Sequence, residues 1–172
     1  MTSLSQRLER NGGTALCPGS YDPVTFGHLD IIGRAASVFD QVIVGVVDQP
    51  VRKQKTVFTA DERVAFIEPE VAELGNVQVK TFGTLLVDFA REHGARAIVK
   101  GLRAISDFEY EFEMNQLNRR MAPDIESIYM MAAPQYSFLS SSGVKEVAMF
   151  GGDLHGLVPD SVAERLQEAL TK

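Results

Sequence analysis

Residues 16–28 read L-C-P-G-S-Y-D-P-V-T-F-G-H, and this stretch decides how the rest of the chain is interpreted. A short apolar segment, residues 14–17, leads into it, and glycine and proline residues interrupt any regular pattern within it. Beyond it, apolar residues recur every three or four positions, at Leu29, Ile32, Ala36 and Phe39. That spacing predicts a helix. A strand, a glycine-bearing loop and a helix N-terminus in this order form an anion site, because free backbone N–H groups and the helix dipole point the same way.

Three side-chain features of this loop favour a phosphate ligand. Ser20 can donate a hydrogen bond to a phosphate oxygen, and Gly19 allows the backbone to approach closely. Gly27 leaves His28, in the first turn of the predicted helix, without a bulky neighbour. Short matches of this kind are often only a tight turn and a helix cap. The complete string after a strand favours a phosphate site.

The composition indicates one globular domain. The chain has 172 residues, of which 45% are hydrophobic and 23% charged. A net charge of −6 argues against a nucleic-acid partner, since such partners require a basic face. No apolar run approaches the roughly 20 residues that span a bilayer. We interpret residues 1–13 as a flexible extension without a secretory signal, and residues 14–172 as the domain.

The single cysteine, Cys17, excludes an intrachain disulfide and fits a reducing cytoplasm. Because no activating partner lies near it in sequence, we expect a small core residue rather than a nucleophile.

Short β-branched segments alternate with helical patterns along the chain. Strands are predicted at residues 14–17, 42–47, 76–81, 97–100 and 128–133. Helices are predicted from residue 28 onward and at residues 59–74, 84–93, 106–121, 142–149 and 161–170. Thr59 with Glu62 and Ser106 with Glu109 have the spacing of a capping box. This alternation predicts an α/β fold with a doubly wound, five-stranded parallel sheet.

Ligands of such sheets bind beyond the carboxyl ends of the strands, where the strand order reverses. That rule brings Ser20 together with residues 48–55, 100–103 and 136–142. Lys100 and Arg103, on either side of Gly101, suit a polyphosphate, although such pairs are commonly solvated surface charges.

Two further segments follow the same rule. D-F-E-Y-E at residues 107–111 places acids where a helix dipole favours them, which is also typical of an ordinary helix start. Y-S-F-L-S-S-S at residues 136–142 offers hydroxyls and backbone N–H groups to phosphates, or simply an N-cap. Lys145 lies one turn further on. Asp22 is at most an outer-sphere contact to a metal.

These strings together resemble those of the nucleotidyltransferases that carry G-[ST]-[FY]-D-P…[TH]-x-G-H. Within that superfamily the chain is most similar to the bacterial phosphopantetheine adenylyltransferases, from Thr14 onward. The resemblance implies a Rossmann-like fold, transfer of the adenylyl group of ATP to 4′-phosphopantetheine, release of pyrophosphate and a homohexamer. It also implies the penultimate step of coenzyme A biosynthesis.

The resemblance implies roles for individual residues. The implied catalytic residues are His28, Arg52 and Lys53. The implied contacts to the acceptor substrate are Ser20, Arg52, Leu86 and Lys100. The implied contacts to ATP are Ser20, Tyr21, His28, Gly101, Leu102, Arg103, Glu111, Tyr136, Ser137, Phe138, Leu139, Ser140, Ser141 and Ser142. The chain departs from the family at two positions. Lys100 replaces the more common arginine, and Arg52, followed by Lys53, occupies the position of a lysine.

Attack by an ionised phosphate monoester on the α-phosphorus needs no general base, so alignment and charge stabilisation suffice. We expect Mg²⁺ to be held by phosphates and water, because no carboxylate cluster suggests a protein cage. Another small-molecule nucleotidyltransferase and a non-catalytic nucleotide sensor on the same fold are the alternatives.

Overall fold

The computed structural model describes residues 12–50 and 55–170, with the side chains of residues 105 and 106 excepted. The strands are β1 (Thr14–Gly19), β2 (Gln41–Val47), β3 (Val77–Phe82), β4 (Ala95–Leu102) and β5 (Glu126–Met131). The helices are α1 (Phe26–Val38), α2 (Ala60–Val71), α3 (Leu86–Glu92), α4 (Ile105–Met121), α5 (Ser141–Met149) and α6 (Asp160–Leu170). Single 3₁₀ turns lie at Ala72–Leu74 and Pro134–Tyr136.

The five strands form one parallel sheet in the order β3-β2-β1-β4-β5. The chain moves outward from β1 to β3 and then returns to the other side of β1, so the order reverses between β1 and β4. The predicted doubly wound sheet is confirmed. The crevice expected of such a sheet lies beyond the carboxyl ends of β1 and β4.

The sheet is covered on both faces, because successive residues of each strand point to opposite sides. On one face Ala15 and Cys17 pack in a core with buried residues of α1, α2, α5 and α6. On the other face Leu16 packs with Val87 and Phe89 of α3. Cys17 is thus a core residue, as expected.

Of the two capping boxes predicted from the sequence, one is present in the structure. Thr59 and Glu62 form the predicted capping box, with each side chain accepting the other residue's backbone N–H. The second predicted box, Ser106 with Glu109, is wrong, because α4 begins after Ala104. At that end Asp107 accepts the backbone N–H of Arg103 at 3.1 Å instead.

Strand β4 and helix α2 differ from prediction in length. Strand β4 extends from Ala95 to Leu102, so Gly101 and Leu102 lie within the strand. Helix α2 contains Pro69, which lacks an amide hydrogen, and the chain tightens into the 3₁₀ turn Ala72–Leu74 before Gly75 at φ 74°. The helix predicted to reach residue 74 therefore ends at Val71.

The start of the domain is tied to the sheet at Gly13, whose N–H donates to Asp40 Oδ2 at 3.0 Å. Most of the predicted extension, residues 1–11, lies outside the described residues. In the described ranges, no helix combines the length and apolarity needed to cross a membrane.

Gly101 lets α1 approach β4 closely. A Cβ atom at this position would lie 2.9 Å from Ile31 Cγ1, well inside van der Waals contact. Gly33, also on α1, has no atom within 4 Å of such a Cβ. The two glycines therefore offer the same substitution with opposite consequences.

Gly101→Ala is expected to lower the free energy of unfolding by about 1–3 kcal/mol through overpacking. Gly33→Ala, the matched control, should raise it by about 0.5–1 kcal/mol, because alanine favours the helix. Urea unfolding followed by circular dichroism measures both. Equal stability of Gly101→Ala and the parent protein would contradict the packing described here.

Candidate active site

The loop after β1 turns sharply at Tyr21, a non-glycine residue with φ 47°. Its ring is buried, and its hydroxyl donates to the Cys17 carbonyl at 2.9 Å. A Cβ atom on Gly19 would lie 2.9 Å from Tyr21 Cε2. Gly19 is therefore needed to seat the tyrosine ring, a reason that sequence analysis did not give.

His28 is held by the backbone at the start of α1. It occupies the third helical position after the N-cap Thr25, whose hydroxyl accepts the His28 N–H at 3.4 Å. The ring atom Nδ1 accepts the Thr25 backbone N–H at 3.0 Å. An accepting Nδ1 carries no hydrogen, so the neutral ring carries its proton on Nε2. The imidazole thus provides a fixed hydrogen-bond donor at Nε2.

Surrounding groups hold the same helix end. The Tyr21 ring meets the His28 ring edge-on, with 5.1 Å between centroids. The Phe26 N–H donates to the Leu157 carbonyl at 3.0 Å. Two amides of the first turn, those of Phe26 and His28, therefore already have protein acceptors, which reduces the anion-binding capacity predicted for this helix end.

Asp22 is fully buried and structural. Its carboxylate accepts the backbone N–H groups of Val57 and Phe58, each at 3.1 Å. Lys145 Nζ completes the arrangement at 3.1 Å from Asp22 Oδ2. With these partners Asp22 does not suit the outer-sphere metal role considered from the sequence. Lys145 links α5 to the loop after β1.

The three serines before α5 have different roles. Ser140 is the N-cap and accepts the Gly143 N–H at 3.0 Å. Ser141 donates its hydroxyl to the Pro23 carbonyl at 2.8 Å, which fastens the helix to the loop after β1. Ser142 is exposed in the first turn. The three hydroxyls are therefore not equivalent: Ser140 caps the helix, Ser141 anchors it, and Ser142 faces solvent.

The predicted cations at the end of β4 are both paired. Lys100 Nζ lies 2.7 Å from Glu111 Oε2, with both side chains largely shielded. Arg103 binds Asp107 through Nε at 3.0 Å and Nη2 at 3.1 Å. Burial alone would raise the pKa of Asp107, but the hydrogen bonds and charge of Arg103 outweigh it and lower that pKa.

Arg103 also joins two segments of the site, because its Nη1 donates to the Leu139 carbonyl at 3.0 Å. Within that second segment, Leu139 is buried whereas Phe138 is exposed. Tyr136 ends a 3₁₀ turn, and Ser137 donates its hydroxyl to the Pro134 carbonyl at 2.9 Å.

Two other predicted residues, Leu102 and Leu86, pack into the interior wholly or in part. Leu102 is buried in β4, so its side chain belongs to the interior. Leu86 begins α3 and packs partly buried against the second core. Arg52 and Lys53 lie outside the described residues.

The structure therefore brings most predicted segments together at one edge of the sheet. Direct hydrogen bonds join the loop after β1 to α5, and the end of β4 to the segment before α5. Within the described residues, no group of three His, Cys, Asp or Glu side chains could hold a metal ion. Burial raises the pKa of Cys17 to about 12, so its thiol is not ionised at neutral pH.

Arg63, which is fully buried beside this edge, is not among the site residues that the sequence predicts. Its signal was its place in the helix: Arg63, Ile67 and Val71 follow one another at four-residue spacing and are all buried. A charged residue in register with an apolar face is a candidate for a buried polar role.

This fold and site are those of a nucleotidyltransferase. A family model described as cytidylyltransferase-like matches residues 16–147. The structure is similar to a solved protein from Vibrio parahaemolyticus assigned as a nicotinate-nucleotide adenylyltransferase. The TM-score is 0.65 at 17% identity, covering 91% of this chain and 93% of the other. At that identity the likeness shows the fold alone.

Curated relatives narrow the class to one family. The chain is 54% identical to a phosphopantetheine adenylyltransferase from Rubrobacter xylanophilus, over 92% of this chain and 95% of that protein. It is 53% identical to the protein of that name from Clostridium tetani, over 87% and 92% of the two chains. The chain belongs to the phosphopantetheine adenylyltransferase family.

The hydrogen bond from Thr25 to His28 predicts one tautomer of the imidazole. In ¹⁵N-detected NMR of the uniformly labelled protein near pH 8, Nδ1 of His28 should show the shift of a ring nitrogen without hydrogen, and Nε2 that of a protonated one. A His28→Gln variant assigns the signals. The reverse tautomer would contradict the geometry at α1.

Proposed function

We propose that this chain transfers the adenylyl group of ATP to 4′-phosphopantetheine, giving dephospho-coenzyme A and pyrophosphate. The observation that carries the proposal is the intact string from Gly19 to His28, which the fold converts into a fixed Nε2 donor beyond the central strand. Identity of 54% to a phosphopantetheine adenylyltransferase over almost the whole chain supports the choice of acceptor. Neither another transferase nor a silent sensor is favoured by these relatives.

The chemistry needs little from the protein besides alignment. The acceptor's phosphate oxygen forms a bond to the α-phosphorus of ATP while the bond from that phosphorus to the bridging oxygen of pyrophosphate breaks. Because a phosphate monoester is ionised at neutral pH, no side chain has to remove a proton. His28 Nε2–H donates to a non-bridging α-phosphate oxygen and stabilises the charge that develops there.

Lys100 fits the role of acceptor-phosphate ligand despite its ion pair. An ammonium group has three donors, so Lys100 can retain Glu111 and still bind a phosphate oxygen. Arginine, more usual at this position in the family, would offer a planar fork instead. Arg103, fixed by Asp107 and Leu139, supports the nucleotide side together with Ser20 and the segment from Tyr136 to Ser142.

Mg²⁺ enters this proposal as the counter-ion of the triphosphate, whose negative charge it would offset. Among the described residues no carboxylate cluster is built to hold it, and the Asp22 carboxylate is occupied by two amides and Lys145. No protein ligand is therefore assigned to the ion, and no step depends on one.

A homohexamer is proposed on the basis of the resemblance, and exposed apolar side chains support self-association. Exposed apolar side chains that lie together mark interaction surfaces, and the rings of Phe108 and Phe112 lie 5.9 Å apart. The exposed apolar side chains of α4 and β5 are Phe108, Tyr110, Phe112, Leu117, Met121 and Met131. We place the enzyme in the cytoplasm, and its net charge of −6 supports small-molecule substrates rather than nucleic acid.

Replacing His28 tests the catalytic proposal. His28→Ala should reduce kcat by about 10²–10³, because one donor to the developing charge is lost, with little change in ATP affinity. Pyrophosphate release measures kcat, and isothermal titration measures ATP affinity. His155→Ala, on an exposed residue, is the control and should match the parent protein. Unchanged turnover in His28→Ala would exclude the proposed role.

Replacing the two cations at residues 52 and 53 tests the acceptor site. Arg52→Ala should raise the KM for 4′-phosphopantetheine about tenfold and the KM for ATP much less, because a charge-assisted hydrogen bond is lost. Lys53→Ala, the matched control, should have the smaller effect. A larger effect of Lys53→Ala would reassign the role to Lys53, and a dominant effect on ATP would contradict the assignment of this segment.

A further inference from the structure

Arg63 carries a fully buried guanidinium group, and within the described residues each of its hydrogen-bond acceptors is a backbone carbonyl. It donates to five carbonyl oxygens: Ser20 at 2.6 Å, Val47 at 2.8 Å, Asp48 at 2.9 Å, and Phe58 and Thr59 at 3.2 Å each. Burial lowers its pKa, whereas the charges of Asp22 and Asp48 raise it. The five oxygens replace the water that this cation loses on folding.

These acceptors come from three segments that meet at the site. Ser20 follows β1, Val47 and Asp48 end β2, and Phe58 and Thr59 precede α2. Arg63 therefore sets the separation between the loop after β1 and the carboxyl end of β2. The carboxylate of Asp22, in the same loop after β1, reinforces the link, because it accepts the backbone N–H groups of Val57 and Phe58 from the segment before α2.

Only arginine has the geometry for this task. Its Nε and both Nη atoms donate in one plane, and here all three nitrogens are used. Lysine would bring the same charge with its donors on a single atom, which cannot reach carbonyls on opposite sides of the guanidinium. Arg63→Lys thus keeps the charge and removes the span.

We propose that Arg63 is a positioning residue for adenylyl transfer, which holds the Ser20 loop in register with the end of β2. The inference rests on the proposed function, because Ser20 is there a contact of both substrates. A displacement of about 1 Å at a reacting group can cost about a hundredfold in rate. Loss of the Arg63 hydrogen bonds acts on the reaction through the Ser20 loop rather than by direct contact.

The first test compares Arg63→Lys with Ile67→Ala. Ile67 lies one turn along α2, is equally buried and belongs to the core, so its truncation destabilises the protein without removing a hydrogen bond from the site. At a temperature where both variants remain folded, kcat for pyrophosphate release should fall about tenfold to a hundredfold in Arg63→Lys and stay within about twofold in Ile67→Ala. Equal kcat values for the two variants would overturn the proposal.

A double-variant cycle separates positioning from general loosening. If Arg63 acts by placing Ser20, Ser20→Ala should reduce kcat in the parent protein and have little further effect in Arg63→Lys. Multiplicative losses, or no loss from Ser20→Ala in the parent protein, would overturn the proposal. Inactivity of the parent protein with 4′-phosphopantetheine would instead reject the proposed function, so the two failures are distinguishable.

A measurement on the unaltered protein covers the case in which Arg63→Lys does not fold. With selectively labelled arginine, the Nη protons of Arg63 should give separate, slowly exchanging NMR signals, because rotation about the Nε–Cζ bond would break the three hydrogen bonds of the Nη atoms at once. Averaged signals in rapid exchange with water would overturn the proposal.

Discussion

The loop after β1 depends on hydrogen bonds that reach it from other parts of the chain. The Ser20 carbonyl accepts from Arg63, the Asp22 carboxylate from two amides and Lys145, and the Pro23 carbonyl from Ser141. Three groups of this loop are thus fixed by α2, by the segment before it and by α5. A loop held in this way can present Ser20 and His28 without reorganisation when a substrate binds, which is the condition for electrostatic stabilisation of a transition state.

The charges of the site are balanced before a nucleotide arrives. Lys100 faces Glu111, Arg103 faces Asp107, and Lys145 faces Asp22. These acids hold the cations in defined geometries and offset their mutual repulsion, at the cost of part of their attraction for phosphate. A polyphosphate therefore binds to cations that are already oriented, in a chain whose net charge is negative.

How far the sequence predicts this arrangement depends on the range of the interactions involved. The parallel sheet, the Thr59 capping box and the burial of Cys17 follow from local patterns, and the structure confirms them. The Ser106 box fails because α4 begins after Ala104, where Asp107 accepts the Arg103 N–H. The three serines differ in role because the Pro23 carbonyl lies within reach of one of them. The role of Arg63 depends on the carbonyls of Ser20 and Asp48, which lie 43 and 15 residues away in sequence. No local sequence pattern indicates contacts at that separation.

The central claim is that the Nε2 atom of His28 faces the α-phosphate of ATP at the moment of transfer. A crystal structure with a non-hydrolysable ATP analogue, in which the bridge between the α- and β-phosphates is methylene, tests it most directly. The predicted result is a non-bridging α-phosphate oxygen about 3 Å from His28 Nε2, with Thr25 still donating to Nδ1. A triphosphate bound away from His28, with its α-phosphate beyond hydrogen-bond reach of the ring, would contradict it.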